Sequence, residues 1–111
     1  MQPIKRGEVC WISFDPSLGG EIRKTRPAVV VSNNTANAVL NRIVVIPLTS
    51  RTEKVYPGEA LQVAGGRQDK AMADQIMSAS KQRFQERVDT LSPRDLKAVE
   101  EAILLHLGIR R

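Results

Sequence analysis

Reactive and metal-binding side chains are nearly absent from this chain. It has one cysteine, Cys10, and one histidine, His106. A lone cysteine allows no intramolecular disulfide, and one Cys with one His cannot build a zinc site of the usual kind. The carboxylates form neither Asp-x-Asp clusters nor the His-rich patterns that hold a pair of catalytic metals. No metal and no other cofactor is therefore expected. Aromatic residues are also few: Trp11, Phe14, Tyr56 and Phe84. Stacking of bases on an aromatic platform is not expected to dominate any nucleic-acid contact. No apolar run approaches membrane length. The start, Met1-Gln2-Pro3-Ile4-Lys5-Arg6, lacks the apolar centre of a secretory signal. A cytoplasmic protein with no membrane association is the expectation.

What is present points to one domain. The chain has 111 residues, enough for a modest core. Lys and Arg number 17 against 12 Asp and Glu, a net charge of +5; by itself this fits plain solubility better than a polyanionic partner, whose binding would gain from counterion release. The basic residues are spread out, apart from a small cluster at Arg23-Lys24-Arg26. Cys10 lies inside an apolar strand pattern and reads as a small buried hydrophobe rather than a nucleophile.

Strand signals dominate the first two thirds. Gly7 to Phe14 is rich in β-formers and stops at the turn pair Asp15-Pro16. Asp15 to Thr25 has adjacent glycines and no apolar period, and reads as a long mobile loop of the functional kind. Arg26 to Asn33 is a second strand, with Pro27 at its start, where a missing N–H is tolerated. Its valine run predicts cover on both faces. Asn34 to Asn41 has room for a short helical turn. Arg42 to Ser50 is a third strand and Tyr56 to Val63 a fourth, closed by a turn at Gly65-Gly66. Ala71 to Met77 has helix propensity, but the series of turn-marked β segments makes a strand over Lys70–Ser80 more consistent. Gln85 to Leu91 is a last short strand. Ser92 caps a terminal helix with Pro93 in its first turn, a stripe of Leu96, Val99, Ile103 and Leu107, and Gly108 at its end. His106 is expected to pack, partly buried, beside that stripe, and Leu105 to point away from it. The fold class is a small, mainly β, SH3-like barrel with a C-terminal α-helix.

Two strand ends stand out. Arg26 opens the second strand, and Thr49-Ser50 closes the third. If those strands are antiparallel neighbours, the ends can meet. A guanidinium beside a hydroxyl, in a basic protein without metal ligands, points to phosphate chemistry on a nucleic acid.

An ordered series of fragments carries a resemblance. It runs Arg6-Gly7-Glu8-Val9, Phe14-Asp15-Pro16, Gly19-Gly20-Glu21, Arg26-Pro27-Ala28-Val29-Val30-Val31-Ser32, Val45-Ile46-Pro47-Leu48-Thr49-Ser50, Tyr56-Pro57 and Ala73-Asp74-Gln75-Ile76. Together these resemble the MazF/PemK family of toxin endoribonucleases over nearly the whole chain. The resemblance implies a plasmid-maintenance-type barrel acting as a homodimer. It implies metal-independent, sequence-specific cleavage of single-stranded RNA, leaving 2′,3′-cyclic phosphate and 5′-hydroxyl ends and inhibiting translation. It also implies a cognate antitoxin whose acidic, disordered tail occupies the RNA site. The same barrel resembles CcdB, a gyrase-binding toxin. That alternative needs a tryptophan in the C-terminal tail, and this chain ends Leu107-Gly108-Ile109-Arg110-Arg111. An inactive RNA- or protein-binding barrel is the third reading, against which the retained Arg26 and Thr49 argue.

The resemblance implies roles residue by residue. Arg26 matches the family's key arginine; its planar fork can donate two hydrogen bonds to non-bridging phosphate oxygens. A free guanidinium holds its proton strongly, which disfavours a proton-transfer role for this residue type. Thr49 matches the key threonine, with Ser50 as helper. Glu21 matches a loop acid and is the candidate base. Asp74-Gln75 matches an Asp-Gln pair that orders the site or meets a base edge. Lys24, Arg51 and Lys54 are candidate RNA-backbone contacts, which position without specifying. Some relatives carry a second arginine two positions before the aspartate; here that position is Met72, so Arg26 is expected to bear the phosphate charge alone.

Overall fold

Apolar runs, turn residues and caps agree on most element boundaries. The computed structural model describes residues 3–14 and 25–110. Seven strands and two helices follow in order: β1 (Glu8–Ser13), β2 (Thr25–Val30), α1 (Asn34–Val39), β3 (Arg42–Thr49), β4 (Glu59–Ala64), β5 (Arg67–Met72), β6 (Met77–Ser80), β7 (Phe84–Thr90) and α2 (Pro93–Leu107). Short 3-10 turns lie at Ala73–Gln75 and Lys81–Arg83. Neighbouring strands run β4-β5-β3-β2-β1-β7, with β6 also on β3, and the pairs are antiparallel.

Strand β3 organises the sheet. One edge pairs with β2, at Ala28↔Pro47, Val29↔Ile46 and Val30↔Val45. The other edge is shared: Arg42 to Val45 face β6, and Leu48 and Thr49 face β5. The sheet therefore curls into an open half-barrel with α2 packed on it, the mainly β fold expected. Successive residues of β1, β2 and β3 point to opposite faces. Val9, Val29, Ile46 and Leu48 join Val99 and Ala102 of α2 in one core, whereas Cys10, Ile12, Ala28, Val30 and Val45 form the second. This is the two-sided cover that the valine run predicts. Burial, with the Glu8 carboxylate adding to it, pushes the Cys10 thiol up to about 12, so it stays a neutral core residue.

Strand β4 comes near β7 but does not ladder with it. Carboxylates of α2 and β7 tie the β4 end in place. Asp95 Oδ2 accepts from the Val63 N–H at 2.9 Å, and Asp89 Oδ2 from the Gly65 N–H at 2.7 Å. The hydrogen bonds from Gly65 and Thr90 hold the Asp89 carboxyl below its ordinary 3.8. A carboxyl whose folded pKa is depressed stabilises the fold above its unfolded pKa and loses that contribution as pH falls through the folded value. The thermal midpoint should therefore drop on acidification below about pH 4, and less steeply in Asp89→Asn; equal slopes in thermal melts would contradict the bridge.

Among the described residues, the Gln62 side chain is buried without partners. Gln62 is 1% exposed, and neither Nε2 nor Oε1 has a hydrogen-bond partner among the described residues. Gln62→Met keeps the length and removes both orphan atoms, so it should stabilise by about 1–2 kcal/mol. In a domain this size that is an increase of roughly 4–8 °C in Tm by calorimetry.

The structure moves several expected boundaries. Strand β2 ends at Val30, because the Ser32 side chain takes over the ladder, its Oγ accepting the Val44 N–H at 2.9 Å. Asn33 then caps α1 through the Ala36 N–H at 2.8 Å. Strand β4 starts at Glu59, since Tyr56, Pro57 and Gly58 form a turn closed by Glu59 N–H to the Tyr56 carbonyl at 3.0 Å. The single strand expected over Lys70–Ser80 is two strands broken by the Ala73–Gln75 turn. The Gly65-Gly66 turn forms as expected, with φ of 59° and 75°; both positive angles suit a two-residue hairpin. Ser92, through the Asp95 N–H at 3.1 Å, and left-handed Gly108 cap α2 as the sequence predicts. Leu107 and His106, however, are exposed, His106 lying beside the Gly58 turn; Leu105 is exposed as expected. No helix among the described residues is long and apolar enough to cross a membrane.

Candidate active site

The two strand ends do meet. Arg26 and Thr49 line one cleft of about 300 Å³, with Trp11, Pro27, Ser50 and Arg67 among its other walls. The cause lies in the ladder. Strands β2 and β3 are in register at Ala28↔Pro47, and two more residues along the same register bring Arg26 level with Thr49. On its other side Arg26 faces Ile12 of β1, a fully buried residue that fixes the backbone. Pro27 sits beside Trp11 in the same pairing.

The electrostatics suit an anion. Among the described residues, those lining the cleft include two guanidiniums and no carboxylate. Among the described residues no side chain or carbonyl partners the Arg26 guanidinium. Thr49 Oγ1 accepts the Arg51 N–H at 3.3 Å. A hydroxyl has one donor and two acceptor positions; with an acceptor position used this way, its O–H remains able to donate. Ser50, exposed, adds a second hydroxyl to the rim.

A buried clamp holds the segment that leaves the cleft. Lys70, opposite Thr49 in the ladder, donates from Nζ to the Lys54 carbonyl at 2.7 Å and to Glu59 Oε1 at 2.9 Å. The same Glu59 oxygen accepts the Tyr56 N–H at 2.8 Å. The Lys70 and Glu59 side chains are only 9% and 14% exposed. Burial pushes the Glu59 carboxyl up, but the hydrogen bonds from Lys70 and Tyr56 and the Lys70 charge outweigh it and leave the pKa below 4.5.

The other expected site residues fall in different places. Arg51 and Lys54 are exposed on the segment after Thr49 and do not line the cleft. Asp74 and Gln75 are exposed on the 3-10 turn between β5 and β6, outside this cleft; Gln75 Nε2 lies 3.5 Å from Met72 Sδ. Glu21 and Lys24 lie outside the described residues. Sequence reasoning missed Trp11 and Arg67. The signal for Arg67 was the glycine pair just before it, since a tight hairpin commits the following residues to a strand beside β4. Among the described residues, no group of three or more His, Cys, Asp and Glu side chains converges on a point that could hold a metal.

Comparison with known proteins adds the family. Residues 5–107 match the family described as PemK-like, MazF-like toxin of type II toxin-antitoxin system. The chain is 40% identical to the endoribonuclease MazF9 of Mycobacterium tuberculosis, covering 96% of this chain and 98% of that one. It is 32% identical to the endoribonuclease toxin MazF of Escherichia coli K12, with 92% of each covered. The crystal structure of MazF from Deinococcus radiodurans superposes with a TM-score of 0.83 at 28% identity, over 98% of this chain and all 100% of that one. A MazE-MazF structure from the same organism gives 0.82 at 27% identity, with 98% and 100% covered.

Proposed function

This chain belongs to the PemK-like, MazF-like toxin family of type II toxin–antitoxin systems, and from that membership we infer that it is an endoribonuclease. Its substrate is single-stranded RNA, cut at short sequences in the cytoplasm so that translation stops. Its partner is a cognate antitoxin with an acidic tail, and it acts as a homodimer. The observation that carries the reading is the shared cleft of Arg26 and Thr49, whose described lining residues include two guanidiniums.

The chemistry needs no metal. The ribose 2′-oxygen attacks the adjacent phosphorus, its proton passes to a base, and the P–O5′ bond breaks. The leaving 5′-oxygen takes up a proton, and a 2′,3′-cyclic phosphate remains. Arg26 donates from its fork to the non-bridging oxygens, where negative charge accumulates. Thr49 donates its O–H to the same phosphate or orients the 2′-hydroxyl, and Ser50 assists. Glu21 is the base we assign, on family likeness. Arg51, Lys54 and Lys24 contact the RNA backbone, and Asp74-Gln75 meets a more distant part of the strand.

The test is to incubate the purified protein with mixed RNA in excess EDTA and map the new ends. Cyclic-phosphate and 5′-hydroxyl ends at a recurrent sequence support the reading. Absence of cutting in EDTA with recovery on adding a divalent cation contradicts it.

A further inference from the structure

We propose that Arg67 binds a second phosphate of the RNA, one neighbouring the phosphate held by Arg26 and Thr49; this rests on the endoribonuclease reading above. Three observations support it. First, Arg67 lines the same cleft, from β5, on the opposite side of β3 from Arg26. Thr49 therefore stands between two guanidiniums rather than beside one.

Second, the Arg67 fork is organised. Its Nε donates to Asp69 Oδ1 at 3.0 Å, and that carboxylate side chain is only 6% exposed. One edge of the guanidinium is thus fixed to a buried acceptor. Among the described residues nothing else partners it, and the side chain is 54% exposed. The terminal N–H groups are left to meet an anion from solvent, in a group already held in one plane.

Third, the register sets the two arginines at different levels. Lys70 is the residue opposite Thr49, and Arg67 lies three residues before it. At the rise of an antiparallel strand this is about 10 Å along β5. Arg26, level with Thr49, serves the scissile phosphate; Arg67 is displaced along the cleft and serves the next one. A cation at that place fixes where the strand sits without touching the reacting atoms. It also supplies a charge that Met72 does not provide.

A positioning contact of this kind acts on binding. Arg67→Gln should raise KM about 10-fold, as expected for loss of a charge-assisted hydrogen bond, with kcat unchanged. The slope of log affinity against log salt should become shallower by about 0.7, one phosphate contact on a single strand. Arg67→Lys keeps the charge, so it should keep the wild-type slope with a smaller rise in KM. The decisive probe is an oligonucleotide of the sequence the wild type cuts, with one phosphate at a time replaced by a neutral methylphosphonate. At one position next to the cleaved bond, neutralisation should weaken the wild type to the level of Arg67→Gln and leave that variant unaffected. Additive losses at every position would overturn the proposal, as would an unchanged KM in Arg67→Gln. A fall in kcat alone would also overturn it, by moving Arg67 to the transition state. Affinity for an uncleavable 2′-O-methyl oligonucleotide, of mixed sequence if the wild type cuts none, reads the same contact without turnover. Failure of cleavage is thereby separated from failure of Arg67 binding.

Discussion

Arg26→Ala should lower kcat for RNA cleavage by about 10³-fold, the scale of losing a guanidinium that meets charge developing on a transferred phosphoryl group. The loss should fall mainly on kcat, because the phosphate already carries one negative charge when bound and gains more as the 2′-oxygen attacks. Arg26→Lys should recover only part of it. The ammonium restores the charge but cannot donate two parallel hydrogen bonds. The protein should stay folded in both variants. Arg26 is half-buried, and among the described residues nothing depends on its guanidinium for a partner. Single-turnover rates on one oligonucleotide, beside thermal melts, check both statements. Full activity in Arg26→Ala would remove the arginine from the chemistry.

The second large effect concerns the clamp behind Thr49. Lys70→Met removes one member of a nearly buried ion pair and leaves the Glu59 carboxylate short of a partner. Breaking such a pair costs about 3 kcal/mol, here at the low end because Glu59 keeps some contact with water. That is roughly a 12 °C fall in Tm for a domain of this size. Activity should fall as well, because Lys70 also anchors the Lys54 carbonyl. Without that anchor the segment after Thr49 samples more conformations, and the hydroxyls are held less often in place. The double variant Lys70→Met with Glu59→Leu separates the two effects. Apolar replacement of both charges should restore most of the stability. It cannot restore the hydrogen bond to Lys54 and also removes the acceptor of the Tyr56 N–H, so kcat/KM should stay low. Recovery of both together would mean that Lys70 is only a stability residue.

The legibility of this site in the sequence followed the strength of the apolar signal. Arg26 and Thr49-Ser50 sit at the ends of two continuous apolar runs, so their strand-end positions could be read directly. Their meeting needed only that the strands be antiparallel neighbours, and they are. The first half of β5 is hidden because its residues are Arg-Gln-Asp-Lys before any apolar residue appears. Asp69 and Lys70 are buried through ion pairs, not through hydrophobicity, and a pattern of apolar alternation cannot detect that. Arg67 was missed with the strand that carries it. The terminal helix shows the opposite error. Its stripe is legible through Val99 and Ile103, but periodicity gives the face a residue lies on and not its depth, and Leu107 and His106 are more exposed than the stripe implies. Asp74 and Gln75 stand apart from the cleft for a topological reason: the turn bearing them follows β5, at the other end of that strand from Arg67.

The central claim is that the ribose 2′-hydroxyl is the nucleophile, acting on a phosphate seated between Arg26 and Thr49. It is tested most directly by replacing one nucleotide of a cleaved oligonucleotide with its 2′-deoxy form, on the 5′ side of the cut bond. That bond should become fully resistant, while a deoxy substitution one position further away leaves cutting intact. Continued cleavage at the same bond, with the 2′-oxygen gone, would contradict the account.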